Sequence, residues 1–464
     1  MTRILLNLLL ILALNNSVDS QNYNNNWILQ SQQSNGLNFN QYIDGIPDTL
    51  AMPAHAQRAR TVISNSNGQL RLYLGWDGRL YDSFHQIVDG SSELDINPYG
   101  SHSSLLFPCP GESNVYYLVY TNNDPPVFYY ALIDVSGNNP EFVEKNILLH
   151  EDLYAWSTQL VRDHNEGVWL MAKNEGTDEL HTFRFSGKNG PEEHHINRLP
   201  APSSSDAKGP FLAVTPTGEK FATRIYDTNE DPSITYLTTG FFNQQSGKIE
   251  DLNTIDTFKS GKLIRSLAFS PSGDQLYVNT SKGREKTIDQ YDLTHSMPLR
   301  QKKSSYTLLS KQRLHWGDFA MMTGPDGKIY FSKADFEKED SLYSFDKMGI
   351  ITRPELPGPA SDVISHDYAK WGRPPHIPVG LMRTGYLEID HNIAERRNSV
   401  NVRNLSHEPK SIRINFFNGG RLVDIVDEGT FSFPGPGEYR AEAILDYGNS
   451  TRIIYQTFNI FLTE

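Results

Sequence analysis

The chain is 464 residues long, and its 42 Lys and Arg against 55 Asp and Glu leave a net charge of −13. That acidic balance argues against nucleic acid as the main partner, because affinity there comes largely from Lys and Arg on phosphates. A single cysteine, Cys109, excludes an intrachain disulfide, a Cys-rich zinc site and an iron–sulfur cluster, while 23 Phe, 23 Tyr and 6 Trp are enough for a large core.

Arg3 precedes an apolar run from Ile4 to Leu14, broken only by Asn7 and followed by the small-residue pattern Val18-Asp19-Ser20. This is the layout of a secretory signal peptide over residues 1–20. The alternative is a buried N-terminal helix. A spanning helix needs about 20 apolar residues, and no segment of the chain offers them, so the mature protein is expected to be exported, soluble and not membrane-spanning.

Trp27-Ile28-Leu29 and Leu37-Asn38-Phe39 read as a first strand region. A pattern then recurs: a turn ending on Gly, followed by an alternating or aromatic-rich strand and a further strand. Its clearest copies are Ser270-Pro271-Ser272-Gly273 before Gln275-Leu276-Tyr277-Val278, and Gly324-Pro325-Asp326-Gly327 before Lys328-Ile329-Tyr330-Phe331. Pro presets the first corner position and Gly accepts the positive φ that a later one requires. The corner glycines 68, 111, 167, 218, 273 and 327 lie 43, 56, 51, 55 and 54 residues apart. Strand pairs at this period, with no amphipathic helix between them, read as blades of a β-propeller. The spacing predicts an all-β, six- or seven-bladed β-propeller over residues 22–390. Six copies favour six blades, with a strand from one terminus completing the blade at the other and closing the ring.

After a polar linker, 391–398, residues 399–464 carry short alternating strands at 8–12-residue spacing, the signature of a small immunoglobulin-like β-sandwich. The alternative for this segment is a seventh blade. Pro434-Gly435-Pro436-Gly437-Glu438-Tyr439 marks a tight corner followed by a Tyr expected to be buried.

Sialidase-type Asp boxes, the Gly-x-Ser-x-Gly elbow, His-Glu-x-x-His, a phosphate loop and an EF-hand loop are all absent from the sequence. His194-His195 follows Glu192-Glu193, but neighbours on a strand point to opposite faces, so this run reads as a solvated loop. Arg58, Arg60, Arg162 and Arg265 lie before or within candidate inner strands, where they would make a polar channel mouth. His315, Trp316 and Asp318, just before the sixth copy, could line the channel. Tyr23, Trp76, Tyr81, Trp156 and Trp371 offer ring faces to a sugar or to a blade core. Cys109, between two prolines, reads as a buried, inert thiol. No cofactor or metal is expected.

With these residues in view, the chain resembles a family of exported Bacteroidetes proteins that carry a propeller and later PKD or immunoglobulin-like modules. That family is associated with gliding motility and the type IX secretion system. The resemblance is carried by Asn24-Asn25-Asn26-Trp27 with Gly36-Leu37-Asn38-Phe39, by Pro108 to Tyr120, by Phe269 to Val278 and by Gly324 to Tyr330. The Phe433 to Tyr439 corner is similar to that of PKD modules, although Asn418-Gly419-Gly420 stands where those carry an Asp-Gly pair. The resemblance implies a non-catalytic binding or scaffold protein of the cell envelope or surface, with envelope or surface proteins, or glycans, as partners. Type IX cargo ends in a sorting domain, and this chain stops at Glu464 directly after the sandwich, so periplasmic residence is the alternative address. The other functions in view are a propeller hydrolase or lyase acting on a glycan or lactone at the channel mouth, and a purely structural envelope component.

Overall fold

Turn chemistry sets the strand ends. Gly68, Gly111, Gly218, Gly273 and Gly327 all adopt φ between 75° and 80°, the left-handed region that a Cβ disfavours. In four of these corners the glycine N–H donates to the carbonyl three residues back, on Asn65, Thr215, Ser270 and Gly324, at 2.8–2.9 Å. Each corner reverses the chain between the first and second strands of one antiparallel sheet.

The computed structural model describes residues 23–29, 35–43, 46–53, 59–96, 104–123, 126–163, 167–174, 177–199, 212–227, 234–259, 262–282, 285–294, 321–333, 347–356, 361 and 363–366. Towards the C-terminus it describes 387–391, 399–404, 411–418, 421–426, 429–432, 437–446 and 451–460. Seven successive sheets run from residue 26 to residue 366. Blade 1 is Asn26–Ile28, Asn35–Ile43 and Ile46–Ala51; blade 2 is Thr61–Ser64, Leu70–Leu74 and Leu80–Asp82. Blade 3 is Leu105–Pro108, Val115–Asn123, Pro126–Asp134 and Glu141–Glu151; blade 4 is Ala155–Arg162, Val168–Asn174, Glu179–Phe185 and Pro191–Arg198. Blade 5 is Leu212–Val214, Lys220–Asp227, Ile234–Asn243 and Lys248–Phe258; blade 6 is Leu263–Phe269, Gln275–Lys282 and Glu285–Asp292. Blade 7 is Met321–Thr323, Ile329–Lys333, Lys347–Ile351 and Val363–His366. In every sheet the described strands follow chain order and pair antiparallel, so all seven innermost strands run in the same sense.

The innermost strands are stitched sideways by hydroxyls. The Leu106 N–H donates to Thr61 Oγ1, Leu212 N–H to Ser157 Oγ, Met321 N–H to Ser266 Oγ and Asn26 N–H to Ser64 Oγ, at 2.6–3.2 Å. These bonds satisfy buried donors that face no strand of their own sheet. Further out, aromatic side chains fill the wedges between blades. Phe107 and Tyr117 of blade 3 meet Phe185 of blade 4 at 5.4 and 4.8 Å. Second strands are buried on both faces, as in Val168–Asn174, whereas no residue of the outermost Glu141–Glu151 is fully buried.

The ring closes by side-chain packing. Trp27 and Phe39 of blade 1 and Tyr330 of blade 7 are buried together, with centroids 4.8–5.5 Å apart. The propeller therefore has seven blades, where the glycine corners favoured six. Blade 1 is the difference: it pairs like the others but carries no corner of the repeated type. Among the described strands none is exchanged between blades 1 and 7, so the expected strand-swapped closure is replaced by this aromatic wedge. The proposed signal segment, residues 1–20, lies outside the described residues. Among the described residues no helix is long and apolar enough to cross a membrane, and the only helical element described is a single 3-10 turn, Ser91–Glu93.

In the C-terminal segment, Leu387–His391, Ser399–Asn404 and Gly429–Ser432 form one antiparallel sheet, and Arg421–Val426, Ser411–Asn418, Gly437–Asp446 and Thr451–Ile460 another. The strand that the sequence places at the close of the propeller thus pairs with Ser399–Asn404, not with a blade. Ile414, Phe416 and Tyr439 are buried, Tyr439 as its corner predicts.

Candidate functional site

Of the residues singled out for a channel mouth, Arg58, His315, Trp316 and Asp318 lie outside the described residues. Arg60 directly precedes the innermost strand of blade 2 and Arg265 lies within that of blade 6, each just ahead of the hydroxyl that stitches to a neighbour (Thr61 and Ser266). Arg162 ends the innermost strand of blade 4, beside a corner. Because the innermost strands run in one sense, Arg60 and Arg265 belong to one half of the ring's depth and Arg162 to the other.

Arg60 is buried: its Nη2–H donates to Trp76 O at 2.8 Å, and its guanidinium lies 5.4 Å from the Trp76 ring centroid. Desolvation lowers it to about 10, against the attraction of Asp77. Arg265 Nε–H donates to Ser281 Oγ at 2.7 Å. Tyr23 and Tyr81 are buried in blade packing, Tyr81 stacked on Tyr73 at 5.0 Å. Nothing is described of Trp371 or of the Trp156 side chain.

Among the described residues, a cluster of three histidines lies elsewhere, on the face that blade 4 turns to blade 3. His194 and His195 lie on the outer strand Pro191–Arg198, where a solvated loop was expected. Their side chains do part as alternation requires. His195 goes to the Trp169 ring, at 5.7 Å, while His194 stacks on Phe183 at 4.3 Å and 4°. Register explains the second contact, since Phe183 pairs directly with His194. His181, two residues before Phe183, shares that face. Its Nδ1 is 3.0 Å from His194 Nε2, and its Nε2 is 3.5 Å from a Glu179 oxygen, itself held through Oε1 by Arg198. His150, from the outermost strand of blade 3, completes the group, 4.9 Å from His181 and 5.2 Å from His194 between ring centroids.

One ligand-competent atom from each of the three histidines lies within 4.8 Å of the others. Burial, reinforced by His150, holds both His181 and His194 down to about 4, so both rings are neutral at pH 7. Sequence reasoning missed His150 and His181, and gave His194 the wrong element. The available signal was the hairpin Glu179–Arg198: once its register is set, His181, Phe183 and His194 fall on one face. His150 is joined to them only by the packing of neighbouring blades.

Cys109 is buried beside blade 3's second strand, and burial, with Glu112 nearby, pushes its thiol up to about 12. The thiolate is the nucleophile, so native protein at pH 8 should react with iodoacetamide at least about tenfold more slowly than the same protein in denaturant, which mass spectrometry would measure. Equal rates would show the thiol to be accessible.

No family model matches this chain, and no curated protein does. Among solved structures, a proposed 6-phosphogluconolactonase from Bacteroides uniformis is similar with 12% identity and a TM-score of 0.45, covering 76% of this chain and 98% of that one. Apo AztD from Citrobacter koseri has 14% identity and a TM-score of 0.35, covering 76% and 96%. The β-propeller domain of Cps50 (Swd1) from Myceliophteria thermophila has 11% identity and a TM-score of 0.37, covering 65% and 88%. The seven-blade assignment rests on this chain's own strand pairing.

Proposed function

We propose that this chain is an exported, non-catalytic binding or scaffold protein of the bacterial envelope or surface, whose propeller rim docks a partner protein. The observation that carries this reading is at the rim of blade 2. There Phe84 and Ile87 are 74% and 49% exposed on a turn that is itself firmly held. Asp82 Oδ1 accepts the N–H groups of Phe84 and Gln86 at 2.9 and 2.8 Å, and His85 takes a left-handed φ of 63°. Two neighbouring apolar side chains that a rigid turn holds in water support recognition at this rim. Export is supported by the Arg3 to Ser20 segment. The two antiparallel sheets of the C-terminal segment support reading it as an immunoglobulin/PKD-like sandwich, which would act as a spacer or second docking module.

The test is recovery of a specific envelope protein from the native host's membrane fraction, using wild type and Phe84→Ser as baits. Phe84 is exposed, so the substitution should leave the thermal midpoint unchanged while recovery falls about tenfold, the effect of about 1.4 kcal/mol. Equal recovery by both baits would overturn the rim assignment. Protein isolated from the host should begin at Gln21 by mass spectrometry. An intact Met1 would remove export.

A further inference from the structure

We propose that His150, His181 and His194 bind one divalent transition-metal ion of the zinc class, which clasps the outermost strand of blade 3 to the outer hairpin of blade 4. The proposal is independent of the rim docking above. It starts from separation. The ligand atoms lie within 4.8 Å of one another, and nitrogens at the usual zinc distance of about 2.0–2.1 Å in a tetrahedron stand about 3.3 Å apart. His181 Nδ1 and His194 Nε2 are already at 3.0 Å. A modest rotation of His150, on a half-buried outer strand, closes the set.

Hydrogen bonding then decides which nitrogens face inward. His150 Nδ1 lies against the Glu151 carbonyl, which can only accept, and a proton on Nδ1 would leave the Nε2 lone pair free for an ion. His181 Nε2 lies at 3.5 Å from the Glu179 carboxylate, also an acceptor, which leaves the Nδ1 lone pair facing His194. Such outer partners are what orient imidazole ligands around a metal. His181 Nδ1 and His194 Nε2, 3.0 Å apart, need a proton or a cation between them, and the third imidazole beside them favours the cation.

The donor set selects the ion. Three imidazoles suit zinc, copper or nickel, whereas calcium and magnesium take oxygen ligands. His194 is exposed, so a fourth position opens to solvent.

The probes are Co²⁺, read by its tetrahedral visible absorption, and Zn²⁺, read by calorimetry, each titrated into the full chain after removal of metal by EDTA. One equivalent should bind saturably, and Zn²⁺ should raise the thermal midpoint. His150→Ala and His194→Ala should abolish both effects. Both residues lie on outer strands, so these variants should fold, which circular dichroism checks. Glu179→Gln should weaken affinity about 10–100-fold. His195→Ala, whose side chain lies on the other face, should bind as wild type does. The proposal is overturned by the absence of saturable binding at one equivalent, or by His150→Ala and His194→Ala binding as tightly as wild type.

Discussion

Trp27→Ala is expected to lower the unfolding free energy by about 3–5 kcal/mol, the range for truncating a fully buried large aromatic. The site gives little room for collapse. Trp27 is completely buried and lies between Phe39 of its own blade and Tyr330 of blade 7. Tyr330 is itself anchored, its hydroxyl donating to Asp326 Oδ2 at 2.7 Å within the blade 7 corner. Removing the indole leaves a cavity at the seam that no strand of the described set spans. The ring should therefore open there first. Urea unfolding followed by circular dichroism would give the loss, and limited proteolysis would show early release of the N-terminal sheet. Phe39→Ala should cost less when added to Trp27→Ala than alone, because the 4.8 Å pair is already broken. A loss below about 1 kcal/mol for Trp27→Ala would mean that the seam is held by other contacts.

Much of the wheel was legible because its punctuation is local. A corner such as Gly324 to Gly327 needs only four residues, whose φ preferences and single backbone bond require no knowledge of the rest of the molecule. That is why blades 2 to 7 could be counted from their glycines. Blade 1 escaped because it pairs through Asn26–Ile28 and Asn35–Ile43 without such a corner, and what makes it a blade is burial against residues 300 positions away in the chain. The histidine group escaped for a related reason. Alternation correctly separates His194 from His195, yet it cannot say which residue on another strand His194 will meet. His181 enters through hairpin register and His150 through the packing of one blade on the next. Tertiary neighbours supplied the site, and only one of its three members carried a local sign.

The interlock of blades 4 and 5 leads to the other large effect. Gly247→Ala is expected to destabilise the protein by about 2–5 kcal/mol, from two separable sources. The backbone there has φ of 67°, where a Cβ costs about 1–2 kcal/mol. The added methyl would also lie 2.3 Å from Trp169 Cη2 and Cζ3, an overlap worth about 1–3 kcal/mol. Neither partner can easily move. Trp169 is fully buried and its Nε1–H donates to Gln244 O at 2.8 Å, while Gly247 O accepts from Thr182 Oγ1 at 2.8 Å. The two sources can be told apart with Trp169→Phe, which removes the outer ring atoms that the methyl would strike. On its own Trp169→Phe should destabilise, since it loses packing and the bond to Gln244. In its presence, however, Gly247→Ala should cost only the backbone penalty of about 1–2 kcal/mol. The double-mutant cycle should therefore show a favourable coupling of about 1–3 kcal/mol, measured by denaturant unfolding. Strict additivity would place the whole penalty in the backbone and remove the indole from the contact between these blades.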